Sequence, residues 1–295
     1  MSKTKNERAD IYNKRGYRKI TQEELTKLQD ILLSMYKDIY EVCKKYNITP
    51  YLCGGSALGA IRHKGFIPWD DDLDVAMLRK DYKKFARVFK KELSNKYILS
   101  APNYDRNVKT RFPKVIKKGT VLQEVGSTTK KGLNGIFIDI FLIDSVPDGR
   151  LSRLLRGSLC NLTQFISSCV YDVQYLDSEC KLLLKKSNKK SYLIRMSVGR
   201  LFSFVSAESW FNVVDSIASS TANTECLGLV TGSEHYFGEI FRREVITPAR
   251  YVDFCDIKAP VFNRVRVYLE NLYGDFMKVP EESERISHNI KELKF

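Results

Sequence analysis

Several classes of protein are excluded by what this chain has little of. Histidine is scarce: three in 295 residues, His63, His235 and His288, too dispersed for a zinc motif. The seven cysteines (43, 53, 160, 169, 180, 226, 255) form no CxxC pair, and an odd, scattered set fits a reducing cytosol better than a disulfide scaffold. Long apolar runs are missing. The uncharged stretch Gly157–Tyr171 has fifteen residues, several of them polar, which is too short and too polar to span a bilayer. The first twenty residues are polar and basic, so no signal peptide is expected. There is no internal repeat and no low-complexity tract. Acid is in deficit, 35 Asp and Glu against 49 Lys and Arg, a net charge of +14. Such a balance draws anionic partners.

The basic residues concentrate in Lys3–Lys19 and in Lys181–Arg200, the latter without a single acid. No recognition motif and no aromatic stacking pattern accompanies them, so nucleic acid is not the expected partner. Two readings stay open: attraction to an anionic membrane face, and an ordinary solvated surface.

What the chain does have is the stretch Tyr51–Met77, YLCGGSALGAIRHKGFIPWDDDLDVAM. Gly54 and Gly55 allow a sharp turn and close approach of main-chain N–H groups to a ligand. Ser56–Ile61 reads as a short helix whose N-terminus favours phosphate. In Asp72–Met77 a strand period puts Asp72 and Asp74 on one face and Leu73 and Val75 on the other. Two carboxylates on one face can share Mg²⁺, with Mn²⁺ an alternative. The same geometry turns Asp71 away from the pair, while Asp70 could reach it through water. Asp139, inside the apolar run Gly135–Ile143, is costly to bury unless it binds metal or pairs with a lysine or arginine. Asp144 reads as a turn residue ahead of Pro147-Asp148-Gly149.

The glycine turn joined to the Asp72/Asp74 pair at this spacing resembles the nucleotidyltransferase signature. More specifically, Tyr51–Met77, the GIFIDIFLID run and Tyr273–His288 (YGDFMKVPEESERISH) resemble, in order, the motifs of the LicD/fukutin-related family. The resemblance covers nearly the whole chain. It implies an α/β (α+β) fold: a nucleotidyltransferase-type mixed sheet flanked by helices, with a mainly helical C-terminal half. It implies metal binding by Asp72, Asp74 and Asp139, and phosphate contact by Gly54, Gly55 and Ser56, with Lys114 a further donor-phosphate candidate. It implies Mg²⁺-dependent transfer of phosphocholine or a polyol phosphate from a CDP-linked donor to a cell-surface glycan; an acceptor carried on a membrane lipid would explain the basic surface. Two departures bear on substrate identity: Leu142 stands where family members often have Pro, and His288-Asn289 where many have two His.

Further candidates follow from position. Arg62, after the phosphate helix, could neutralise a donor phosphate or be solvated. Trp69 could pack beneath the acidic run or stack on a base. Arg285 and His288 could close over substrate or tie the tail to the core. The expected organisation is a basic segment 1–20, a catalytic core 21–145 and a mainly helical part 146–295 completing one domain, cytoplasmic or peripheral on the inner face of the membrane. Within it, Thr21–Glu24 forms a capping box opening a long helix, Leu151–Tyr175 is a helix with a leucine-rich side, and Val261–Tyr273 is the last helix. Two other functions use the same residues: a true nucleotidyltransferase releasing pyrophosphate from an NTP, and a non-catalytic glycan- or membrane-binding protein. Clustered carboxylates argue against the second.

Overall fold

A computed structural model describes residues 18–104, 110–124, 134–176, 178–232, 234–285 and 288–295. After a short strand β1 (Arg18–Lys19), helix α1 (Gln22–Lys45) opens on the expected capping box. The Glu24 N–H donates to Thr21 Oγ1 at 3.3 Å and the Thr21 N–H to Glu24 Oε2 at 3.0 Å. Leu28, Leu32, Met35, Ile39 and Cys43 recur at helical spacing and are buried, which lays one face of α1 on the sheet.

Then come β2 (Tyr51–Leu52), α2 (Gly54–His63), β3 (Asp74–Leu78), α3 (Arg79–Glu92), β4 (Tyr97–Ser100), β5 (Lys114–Lys117), β6 (Val121–Glu124) and β7 (Phe137–Val146). Four helices follow, α4 (Arg150–Gln174), α5 (Ser178–Ser187), α6 (Lys189–Leu201) and α7 (Ala207–Ala218). The chain then returns to strands: β8 (Cys226–Gly228), β9 (Ile240–Arg242), β10 (Arg250–Phe254) and β11 (Ile257–Val261). Helix α8 (Val265–Tyr273) and strand β12 (Asn289–Lys294) complete it.

The main sheet is mixed and runs β2-β3-β7-β5-β4, with β8 and β9 continuing from the far end of β7. β3 and β7 are parallel and the other pairs antiparallel. The expected mixed sheet flanked by helices is therefore the observed fold. A smaller sheet, β1-β12-β6, and the hairpin β10–β11 pack beside it.

Two expectations are corrected. Asp144 is not a turn residue; it is fully buried within β7, and the turn begins after Val146. Its carboxylate accepts two bonds from Arg79, at 2.8 and 2.7 Å, and one from the Ser220 N–H at 2.8 Å. Arg79 donates a third bond to Asp215 at 2.6 Å, so a buried triad joins α3, β7 and α7. The last helix begins at Val265, because Ile257–Val261 is claimed by pairing with β10. The tail ends in a strand, β12, paired with β6 and β1.

The helical part packs closely. A Cβ on Gly199 of α6 would collide with the Cys169 carbonyl of α4. Arg156 of α4 donates to the Ile217 and Ser219 carbonyls at 2.8 and 2.9 Å, satisfying the end of α7.

Candidate active site

Strand register builds the centre of the site. Asp74 on β3 pairs with Asp139 on β7, and Asp139 pairs with Lys114 on β5. Residues paired across neighbouring strands share a face, so the three stand in one row across the sheet. Asp72 and Asp74 are partly exposed while Leu73 and Val75 are buried, the alternation that a shared face requires. Regular pairing of β3 starts at Asp74, leaving Asp72 in the segment that leads into it.

Lys114 is drawn to Asp139. Its Nζ donates to Oδ2 at 3.0 Å and lies 3.5 Å from the centre of the Phe137 ring. Asp139 Oδ1 is 2.7 Å from the same ammonium but off the hydrogen-bonding direction, and is buried with no hydrogen bond. The sequence left metal binding and lysine pairing open for Asp139; the structure shows the pairing and a spare oxygen.

The glycine turn serves the acids as well as α2. Gly54 has φ +50°, and a Cβ there would lie 3.3 Å from Asp74 Oδ2. At Gly55 a Cβ would come within 2.9 Å of Asp70 Oδ2. The Gly54 N–H is already used, donating to Tyr268 Oη at 3.0 Å. The N–H groups of Gly55 and Ser56 stand in the first turn of α2, where the helix offers them no acceptor. Ser56 Oγ accepts the Asp74 N–H at 2.8 Å, so this side chain first of all positions β3.

The other candidates divide. Arg62 does not face the acids; it donates to the Phe276 and Lys278 carbonyls at 2.9 and 3.2 Å and ties down the tail. Arg285 stacks over Trp69, 4.3 Å from the ring centre, the tail-tying alternative for it and the packing alternative for Trp69. His288 does reach the acids, through Asp71: its N–H donates to Asp71 Oδ2 at 3.0 Å, and its Nδ1 lies 2.8 Å from Oδ1. Asp71 is therefore not turned away from the pair. Ligand atoms of Asp71, Asp72 and His288 lie within 4.8 Å of one another. Glu124, which sequence reasoning passed over, belongs to the same electrostatic group: β12 pairs Ile290 with it, and its proton affinity responds to His288, Lys114 and Asp139.

Six carboxyl groups (Asp70, Asp71, Asp72, Asp74, Glu124 and Asp139) thus gather around two cations, Lys114 and His288. Burial is the largest cause pushing Asp70 up to about 8 and Asp72 up to about 6, with the mutual repulsion of the acids adding to it. Asp74, Asp139 and Glu124 are raised as well, again chiefly by burial. Asp71 in turn raises His288 to about 10. As the structure stands, Asp71 and His288 form a close pair, with Nδ1 2.8 Å from Oδ1. The remaining donors are all carboxylate oxygens, including the unbonded Asp139 Oδ1, and they suit a hard divalent ion. The residues present fit Mg²⁺ or Mn²⁺.

Beside the turn lies a cleft of about 190 Å³. Asp74, Glu234 and Glu239 supply its acids, and Phe141, Tyr268 and Tyr273 its aromatic walls. Among the described residues, no lysine or arginine lines it. The Tyr268 hydroxyl, which accepts the Gly54 N–H, also lowers the proton affinity of Glu239. A second hollow of about 210 Å³, near Arg79, Ser145 and Arg243, opens at the opposite end of β3 and β7 and is remote from the acids.

A parallel β3–β7 pair carrying Asp74 and Asp139, fed by a glycine turn and helix, defines a nucleotidyltransferase-type domain. Residues 47–148 match the nucleotidyltransferase domain described as LicD/FKTN/FKRP. The chain is 28% identical over 273 residues to the lipopolysaccharide cholinephosphotransferase LicD of Haemophilus influenzae, spanning 91% of this chain and 97% of that protein. An uncharacterised protein of Rickettsia typhi is 40% identical over 57 residues, 19% of this chain and 18% of its own. One of Rickettsia prowazekii is 44% identical over 50 residues, 17% of this chain and 19% of its own. The match over residues 47–148 and the near full-length similarity to the Haemophilus transferase both support a place in the LicD family.

Proposed function

We propose that this protein transfers phosphocholine from CDP-choline to a cell-surface glycan, with CMP as the leaving group. The observation that carries the choline reading is the cleft beside Asp74. A polyol phosphate offers hydroxyls and would be met by mixed donors and acceptors. A wall that presents carboxylates and aromatic rings, and no cation among the described residues, instead suits a quaternary ammonium. The named activity of the Haemophilus relative supports the same choice.

In this reading the Gly55 and Ser56 N–H groups, at the start of α2, donate to the diphosphate. The choline head lies in the cleft against Tyr268, Tyr273 and Glu239. Mg²⁺ or Mn²⁺, bound by Asp72, Asp74 and Asp139, would neutralise charge on the diphosphate. Lys114 adds a fixed positive charge beside Asp139. Asp139, with its proton affinity raised by burial, takes the proton of the attacking glycan hydroxyl. The hydroxyl oxygen bonds to the choline-bearing phosphorus as that phosphorus releases CMP. Holding these groups in line supplies most of the rate.

The test is product analysis with Mg²⁺, a glycan acceptor and, in parallel, CDP-choline, CDP-ribitol, CDP-glycerol and CTP. CMP formed in step with phosphocholine on the glycan, from CDP-choline alone, is the expected result. Preference for CDP-ribitol or CDP-glycerol would overturn the choline assignment. Pyrophosphate from CTP with a CMP-linked acceptor would make the protein a true nucleotidyltransferase.

A further inference from the structure

The helical part of the molecule leaves an apolar surface that the active site does not use. On α4 one stripe, including Cys160, Gln164 and Ser167, is buried. The opposite stripe is Leu151, Leu155, Leu162 and Phe165, at i, i+4, i+11 and i+14, within one side of the helix. Leu151 is 68% exposed, Leu155 63% and Leu162 55%. Helix α6 packs alongside α4 and repeats the arrangement with charge added. Lys190, Ile194 and Leu201, at i, i+4 and i+11, share one exposed side of it. The acid-free segment Lys181–Arg200 holds seven basic residues. Two of these are engaged internally, Lys181 with the Val173 carbonyl and Arg195 with Asp172. Lys185, Lys186, Lys189, Lys190 and Arg200 face solvent.

An exposed apolar helix side of this kind marks an interaction site. Charge decides between its occupants. A second copy docked by two-fold symmetry would bring like charges together, because the same patch meets itself. An anionic bilayer matches both components: leucines enter the boundary between headgroups and acyl chains, while lysines and arginines meet lipid phosphates. We propose that the α4–α6 face docks this protein on an anionic membrane surface. The inference is independent of the donor chemistry, since vesicle binding needs neither substrate nor turnover.

The experiment is co-sedimentation of the full chain with vesicles of phosphatidylcholine, with and without phosphatidylglycerol. The unaltered protein should bind the anionic vesicles far better than the neutral ones. Leu155→Ser combined with Leu162→Ser should weaken that binding about tenfold, with thermal unfolding unchanged, because both side chains lie in water in the free protein. Lys189→Glu with Lys190→Glu should remove the preference for anionic vesicles. Should the double leucine variant fail to fold, Leu151→Ser alone, in the first turn of α4, is read in the same way. Equal binding to both vesicle types, or unchanged binding by the leucine variants, overturns the proposal. So does sedimentation velocity showing a dimer that the leucine variants convert to monomer.

Discussion

Asp71 holds His288 at two points, accepting the main-chain N–H at one carboxylate oxygen and facing Nδ1 with the other. The tail strand β12 is thereby fastened to the acids of the site.

The pH dependence of this fastening has a definite sign. His288 has a folded pKa of about 10, above its ordinary 6.5, mainly through the Asp71 hydrogen bond. Its contribution is fully present below about 6.5 and is lost as pH rises through about 10. His288→Ala should therefore lower thermal stability at neutral pH, and the difference from the parent should vanish only above about pH 10. The side chain is 48% exposed, so the loss should stay below about 1 kcal/mol. A constant difference across the whole range would show that packing, not charge, holds the tail.

Removing a carboxylate from the crowded cluster should stabilise the metal-free protein while ending catalysis. Asp74→Asn relieves repulsion from Asp72 and Asp139 yet keeps the shape of the side chain. Its melting temperature without metal should equal or exceed the parent's, and turnover should fall at least about a hundredfold. Mg²⁺ should raise the parent's melting temperature more at pH 8 than at pH 6, since the group is raised by burial to about 8 at Asp70 and about 6 at Asp72. A variant that is both destabilised and active would contradict the assignment.

Glu239 gives the cleft a pH signature. Burial pushes it up to about 7 from 4.5, against partial relief from Tyr268. A folded pKa above the unfolded one means stability that is present below about 4.5 and lost as pH rises through about 7. Glu239→Gln should flatten that slope and raise the melting temperature at pH 8. Tetramethylammonium should stabilise the parent more above pH 7 than below it, and should do little for the variant. An equal effect on both proteins would remove Glu239 from cation recognition.

The buried triad is structural. Arg79→Met leaves Asp144 and Asp215 without their cation and should cost about 3–5 kcal/mol in urea unfolding. Arg79→Lys should recover only part, because one ammonium cannot reproduce the three guanidinium bonds. A neutral Arg79→Met would mean that the triad relaxes into solvent.

How much could be read beforehand follows the range of each interaction. The capping box of α1 is local, and its four residues announced it. The Asp72/Asp74 alternation is local too. The row Asp74–Asp139–Lys114 is not: strand order and register create it, and the sequence could name the members but not that Lys114 lies on Asp139. Asp144 misled because a turn does follow it closely, whereas its partners Arg79 and Ser220 lie 65 and 76 positions away. Arg62 sat beside the phosphate helix in sequence, but its partners Phe276 and Lys278 come from the far end of the chain. The acids and rings of the cleft, Glu234, Glu239, Tyr268 and Tyr273, carry no spacing signal; only the fold assembles them. Tyr273 was within reach, since it opens the late motif.

Strand β3 begins at Asp74 and runs straight into Arg79, which grips α7 through Asp215. Five residues of strand are about 17 Å of nearly inextensible backbone. The helices and the acid row therefore cannot move independently along that direction. For a molecule resting on a lipid surface by α4 and α6, this short rod would set the height at which the reaction takes place, and hence how far from its anchor a glycan hydroxyl must stand to be modified.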